Sequence, residues 1–257
     1  MSTAAFEAFD ELVHKRRSYR NFSPDPIPDE DVQKILECGR WAMNGGNAQP
    51  WEFIVIKDNA TKLEMARMWQ AAIRDFKPIE LSRLPEFRHP LFSRPDNPDD
   101  LPNWKHAPVI IGIIGDRRKM QISVLHPCFI GAEGGDGIGS TFVRDTACVA
   151  QNMNFAACAL GYGSEWVSLE RNVEQKFKRL LGIPDDLELH SLVVVAKPPY
   201  EAPPGYRRPL EDYVHYESYN MDLFSTTQDI VEQIMASRKA VRASEAAAYK
   251  IKAVGEE

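Results

Sequence analysis

Apolar positions along this chain recur with a period that changes from segment to segment. Phe6, Phe9, Leu12 and Val13 fall at helical spacing over residues 4–15 and predict a short amphipathic helix. In the following RRSYRNFSPDPIPDEDV stretch, Pro24, Pro26 and Pro28 enforce an extended or turning chain. Asp29 is placed to cap a second helix with Val32, Ile35, Leu36 and Trp41 on its core face. That helix must end by NGGN (44–47), whose glycines and asparagines favour turns. WEFIVIK (51–57) reads as a buried strand, and a helix is predicted from about Ala60 to Phe76.

The middle of the chain breaks this rhythm. Residues 77–107 are rich in proline, aromatic and charged residues and have no period, as expected of a lid or an irregular excursion. APVIIGIIG (107–115) then reads as a second buried strand, GAEGGDGIGS (131–140) as a glycine-rich loop, and residues 141–160 as a long apolar helix. GYGSEWVSL leads into a third strand, and Val173–Leu181 forms a helix closed by Gly182 and Pro184. LHSLVVVAKPP (189–199) is a fourth strand stopped by prolines, and 225–253 reads as one polar helix. Strands in continuous apolar runs, separated by helices, suggest an α/β sandwich with both sheet faces covered.

Composition narrows the class of chemistry. With 257 residues, 44% of them hydrophobic and 26% charged, the chain has the make-up of an ordinary globular protein. A net charge of −6 with scattered Lys and Arg gives no overall signature of nucleic-acid binding, so any anion site must be a local basic cluster. Cys38, Cys128, Cys148 and Cys158 show no paired spacing and read as small hydrophobes in a reducing compartment. The N-terminal segment MSTAAFEAFDELVHKRR carries acids and lacks the apolar core of a signal peptide, and no run reaches the length of a spanning helix, so a cytoplasmic protein is expected. The six histidines form no ligand-spaced cluster, and no metal is expected. GGDGIGS departs from a dinucleotide-binding fingerprint because Ser140 stands where the third glycine belongs.

Two segments carry the candidate chemistry. Arg16, Arg17 and Arg20 sit within RRSYR, a dense set of charge-assisted donors for a phosphate. A second basic pair, Arg207-Arg208, lies far along the chain between proline segments and could converge on the same anion. In MNGGNAQPW (43–51) small residues permit close approach to the backbone, and the side-chain amides can bond to a flat ligand.

RRSYRNF, NGGNAQPW, CALGYGSEWVSL, KRLLGIPDDLELHSLVVVAKPP and RRPLEDYVHYE together resemble, in order and spacing, the FMN-dependent nitroreductase family of NAD(P)H:acceptor flavin oxidoreductases. The resemblance covers about residues 8–76 and 105–217. It implies an α+β three-layer α-β-α sandwich around a mostly antiparallel mixed sheet. It further implies an intertwined homodimer with FMN at the subunit interface. Residues 1–220 would form the FMN-binding domain, with 77–107 as a lid insertion, and 221–257 a C-terminal helical extension. Carried over by position, Arg16 and Ser18 resemble phosphate ligands, Arg17 a residue along the ribityl chain, and Arg20 a cation near flavin N1 and O2. Met43, Asn44, Gly45 and Asn47 match a loop offered by the partner subunit, although many relatives have Pro-Ser in place of Met43-Asn44. Val167, Ser168 and Leu169 match backbone facing N5 and O4, and Arg207 and Arg208 match a phosphate clamp. No side chain is expected to be catalytic beyond Arg20 in support of N1 and O2, since flavin N5 carries the chemistry. Phe87, Phe92 and Trp104 would offer flat apolar surface on the lid.

The implied activity is a ping-pong, two-electron transfer from NADH or NADPH through tightly bound FMN to a small aromatic acceptor, a nitro compound or quinone. Reductive dehalogenation, flavin-dependent oxidation and a non-enzymatic flavin or ligand carrier are the alternatives. Family members that convert flavin to benzimidazole replace the Ser of RRS and lack the GGN turn, both present here, which disfavours that activity.

Overall fold

A computed structural model of the chain describes residues 3–88, 101–123, 137–202 and 205–254. It divides into two compact units, Met1–Pro199 and Tyr200–Glu257.

The first unit is built on a four-stranded sheet comprising β1 (Trp51–Ile56), β2 (Val109–Gly115), β3 (Gly163–Ser168) and β4 (Glu188–Ala196), in the order β1-β2-β4-β3. Every pairing among these strands is antiparallel, with Trp51 opposite Gly115, Val109 opposite Val195 and Gly163 opposite Ala196. This corrects the α/β sandwich suggested by the apolar runs and agrees with the family-derived α+β expectation. The runs misled because both faces of this antiparallel sheet are covered, so inward residues of both parities must be apolar. One face carries Ile110, Leu192 and Val194 into a core with Met65, Val173 and Phe177. The other carries Ile111, Val193 and Val195 into a core with Ile35, Val149 and Met153.

Four helices supply most of these two outer layers. On the first face lie α3 (Asn59–Leu81) and α6 (Arg171–Leu181); on the second lie α2 (Asp29–Arg40) and α5 (Gly137–Ala159). The α3 start is fixed by Asp58, whose carboxylate accepts the Thr61 N–H at 2.7 Å. At the other end α3 outruns its predicted limit and carries Pro78 within it, so the irregular stretch begins five residues later than the composition indicated. Gly182 closes α6 with φ +68°, a left-handed conformation that glycine adopts without a Cβ clash.

Several local expectations are corrected. Pro28, not Asp29, occupies the N-cap of α2, and Asp29 becomes its first residue. Trp41 is not a core residue: it lies just past the end of α2, 73% exposed, with its indole N–H donating to Glu37. Gly137–Ser140, read as loop, form the first turn of α5, while 131–136 lie outside the described residues. A short helix, α4 (Arg117–Ser123), follows β2 without having been anticipated. Trp104, expected to face a ligand, is 4% exposed and packs edge-on against Trp69 in the first core.

The N-terminal α1 (Thr3–Lys15) keeps its predicted pattern but buries little of it: Phe6 and Phe9 are 67% and 54% exposed. In the second unit a single long helix, α7 (Thr227–Val254), follows two 3-10 turns at Leu210–Asp212 and Met221–Leu223. Among the described residues no helix is long and apolar enough to cross a membrane.

Candidate functional site

Between α1 and α2 the chain runs alongside the free edge of β3. Ser18 forms a parallel bridge with Ser164, and the Tyr19 N–H donates to the Ser164 carbonyl at 3.0 Å. Ser164 is itself fixed from below. Its hydroxyl donates to Asn154 Oδ1 at 2.6 Å, and the Asn154 amide donates to the Ala150 carbonyl of α5, also at 2.6 Å. The neighbouring Gly163 leaves room for Tyr19, since a Cβ there would come within 2.6 Å of the tyrosine ring. The basic motif is thus positioned by a hydrogen-bonded relay from α5 through β3.

This arrangement opens a cleft of about 290 Å³ lined by Arg16, Ser18, Gln151, Asn154, Trp166 and Ser168. Three of these, Arg16, Ser18 and Ser168, are residues that the sequence singles out. Gln151, Asn154 and Trp166 are additions. Gln151 and Asn154 stand three residues apart on α5 and so share one of its faces, but Arg144, Asp145 and Asn152 are polar on the same helix, and nothing in the sequence sets the pair apart.

The other expected site residues have varied surroundings. Arg17 turns back on the chain, donating to the carbonyls of His14 and, at 2.7 Å, Arg16. Arg20 is not among the lining residues; its Nε lies 3.4 Å from Glu165 on β3. Burial pushes the Glu165 carboxyl up to about 7, against the opposing pull of Arg20. Val167 is buried with its side chain in the first core, and Leu169 packs against the same core, so a ligand could meet little of them but backbone.

The NGGN turn is a strained loop tethered at one point. Gly46, Asn47 and Gln49 all adopt positive φ, at 57°, 52° and 46°. Asn44 Oδ1 accepts the Gln49 N–H at 2.9 Å, leaving Met43 beside it 79% exposed. The Gly45 N–H donates to the buried carboxylate of Asp145 on α5, at 3.2 and 3.3 Å to its two oxygens. Burial raises the Asp145 carboxyl above its ordinary range, which the Gly45 N–H partly offsets.

Arg207 and Arg208 belong to the second unit. There they line a cleft of about 300 Å³ with Tyr206, Tyr213, Gln233 and Arg238. The Arg208 guanidinium stacks over Tyr213 at 4.3 Å from the ring centroid and donates to Gln233 on α7. Phe87 is half-buried in a 3-10 turn after α3, and Phe92 lies outside the described residues. Among the described residues no His, Cys, Asp and Glu side chains group to hold a metal ion.

The donor set of the first cleft fits FMN. A guanidinium and a serine hydroxyl suit a phosphate, while amide side chains and an indole suit a flat, heteroatom-rich ring. The polar cleft thus opens at the edge of the sheet in a three-layer sandwich. The sequence profile of the nitroreductase family matches residues 13–197, and the chain belongs to that family. It is 28% identical over 204 residues to a protein of Thermus thermophilus named NADH dehydrogenase, covering 78% of this chain and 91% of that one. It is also 27% identical over 171 residues to 5,6-dimethylbenzimidazole synthase of Rhodospirillum rubrum, covering 63% and 70% of the two chains. In structure it resembles nitroreductase A of Vibrio parahaemolyticus with a TM-score of 0.62 at 18% identity, covering 96% and 91%. The family and its named relatives make this protein an oxidoreductase.

Proposed function

We propose that the protein is an FMN-dependent oxidoreductase that moves two electrons from NADH or NADPH to a small aromatic acceptor, a nitro compound or quinone. It would work in the cytoplasm as a homodimer. The observation that carries this reading is the cleft in which Arg16 and Ser18, from the N-terminal motif, meet Ser168 and Trp166 of β3. The two-electron chemistry, hydride in from nicotinamide and electrons out in a ping-pong sequence, is what bound FMN supplies.

The residues of the chain hold and shield. Arg16 and Ser18 are assigned to the phosphate, where charge-assisted hydrogen bonds are the strong kind. Arg17 is assigned to the ribityl chain and Arg20 to the N1 and O2 edge, where a preplaced cation favours the negative charge of the reduced ring. Backbone of Val167–Leu169 is assigned to the N5 and O4 side. Met43, Asn44, Gly45 and Asn47 are assigned to the partner's site, an assignment consistent with the exposure of Met43. Arg207 and Arg208 are assigned to the phosphate clamp. The apolar side chains left exposed on α1, Phe6 and Phe9, support a subunit interface. Residues 77–107 are assigned to acceptor selection through Phe87 and Phe92, with Trp104 withdrawn from that role by its burial.

The test is direct. Purified protein is expected to be yellow, to release FMN rather than FAD on denaturation, and to oxidise NAD(P)H with nitroaromatic or quinone acceptors in turnover. Colourless protein that cannot be reconstituted with FMN refutes the proposal, and yellow protein that leaves NAD(P)H untouched reduces it to a flavin carrier.

A further inference from the structure

The pair formed by Arg20 and Glu165 joins unequal partners. The Arg20 side chain is 70% exposed, whereas that of Glu165 is only 17% exposed, and Nε and Oε1 stand 3.4 Å apart. Two residues along β3 from Glu165, and so on the same face of the strand, Val167 enters the first core; the residue opposite Glu165 on β4 is Val194, also in that core. The carboxylate is therefore set against apolar neighbours with one cation at its rim.

Ionisable groups of the layer that packs on this face have partners of their own. Lys62 of α3 donates to the Ala107 carbonyl, Lys178 of α6 to the Asp185 carbonyl, and Glu174 of α6 accepts the Leu189 N–H. His106, in the turn before β2, is held below its ordinary value first by burial and then by Lys105 and Lys62. Burial favours the neutral form of Glu165, and the Arg20 cation opposes it.

We propose that Glu165 is a positioning residue: its carboxyl anchors the Arg20 guanidinium against β3 and sets the net charge that the pair presents to the reduced flavin. This rests on the assignment of Arg20 to the N1 and O2 edge made above. With Glu165 ionised the pair is neutral; with Glu165 protonated it carries one positive charge. The carboxyl changes state near neutrality, at about 7, so the support given to the reduced ring falls as pH rises from 6 to 8.

The experiment is a spectroelectrochemical titration of FMN-loaded wild type, Glu165→Gln and Arg20→Gln at pH 6 and pH 8, with FMN affinity measured by fluorescence quenching. Glu165→Gln is expected to favour reduced over oxidised FMN about tenfold more than wild type at pH 8, about 30 mV for a two-electron couple. At pH 6 the two should agree. Arg20→Gln should lower the potential by a similar amount at pH 6 and by less at pH 8, since loss of the cation leaves burial unopposed and shifts Glu165 toward its neutral form. The second variant carries the test should the first fail to fold. Uptake of FMN with offsets that are absent, or equal at the two pH values, overturns the role of Glu165 alone. Failure of the wild type to take up FMN overturns the reading of the site and this proposal together.

Discussion

Replacing Gly163 with alanine tests whether the contact between β3 and Tyr19 positions the basic motif. The added Cβ would lie 2.6, 2.9 and 3.2 Å from three atoms of the Tyr19 ring. Carbon atoms rest near 3.5–4.0 Å apart, so the half-buried ring has to retreat by roughly 1 Å. Gly163 does not adopt positive φ, so the backbone itself accepts alanine, and the effect is that of crowding. Overpacking of this kind costs about 1–3 kcal/mol, reduced by the roughly 0.5–1 kcal/mol that alanine gains over glycine within a strand. Because the Tyr19 N–H is bonded to Ser164, the retreat also drags Ser18 and Arg16 out of register with the cleft. Urea denaturation of Gly163→Ala should show a net loss of about 0.5–2 kcal/mol, with weaker FMN binding by fluorescence titration. In a Tyr19→Ala background the same substitution should be neutral or mildly stabilising, a non-additivity expected only of residues in contact. An equal cost in both backgrounds would refute the argument.

Arg16→Ala should weaken FMN binding by about 1.5–3 kcal/mol, the range for hydrogen bonds to charged groups, and an unchanged dissociation constant would remove Arg16 from the site. Glu165 raises its folded carboxyl from 4.5 to about 7, so its stabilising contribution is full below pH 4.5 and lost as pH rises through 7. Glu165→Gln should therefore flatten the fall in apo-protein stability between pH 5 and 8, a difference on the order of 3 kcal/mol; parallel melting profiles for variant and wild type would contradict this. Asp145→Leu, which strands the half-buried Gly45 N–H, should cost about 1–3 kcal/mol in chemical denaturation, whereas Asp145→Asn keeps an acceptor and should cost less. Equal losses for the two would show that the bond to Gly45 is not what Asp145 provides.

The strands and most helices of the first unit were legible because their apolar runs are long and bounded by Gly, Pro or Asn. Strand direction was not legible from the runs, since an antiparallel sheet covered on both faces has the same pattern as a parallel one. It came from the family resemblance. Trp41 misled because its helical spacing fits the α2 face, but the helix ends one residue before it and turns the ring outward. Trp104 lay in a segment without periodicity, where burial leaves no trace in sequence. At the site, RRS could be singled out as a dense charge cluster. Asn154 and Asp145 could not, because α5 carries several polar residues and one of them becomes meaningful only when its partner, Ser164 or Gly45, is known.

The bridge between Ser18 and Ser164 has a consequence for how the chain acquires its binding site. Its two sides lie near opposite ends of the first unit, so closing the loop between them carries one of the larger entropic costs in the fold. On a ribosome the arginine motif emerges before β3, yet its docking edge exists only once β3 has been made and has paired with β4, the strand that follows it. The motif must wait as a solvated tether until the sheet is complete. The cleft is then the last part of this unit to form, and any ligand held there draws that final step toward the native state in proportion to its concentration.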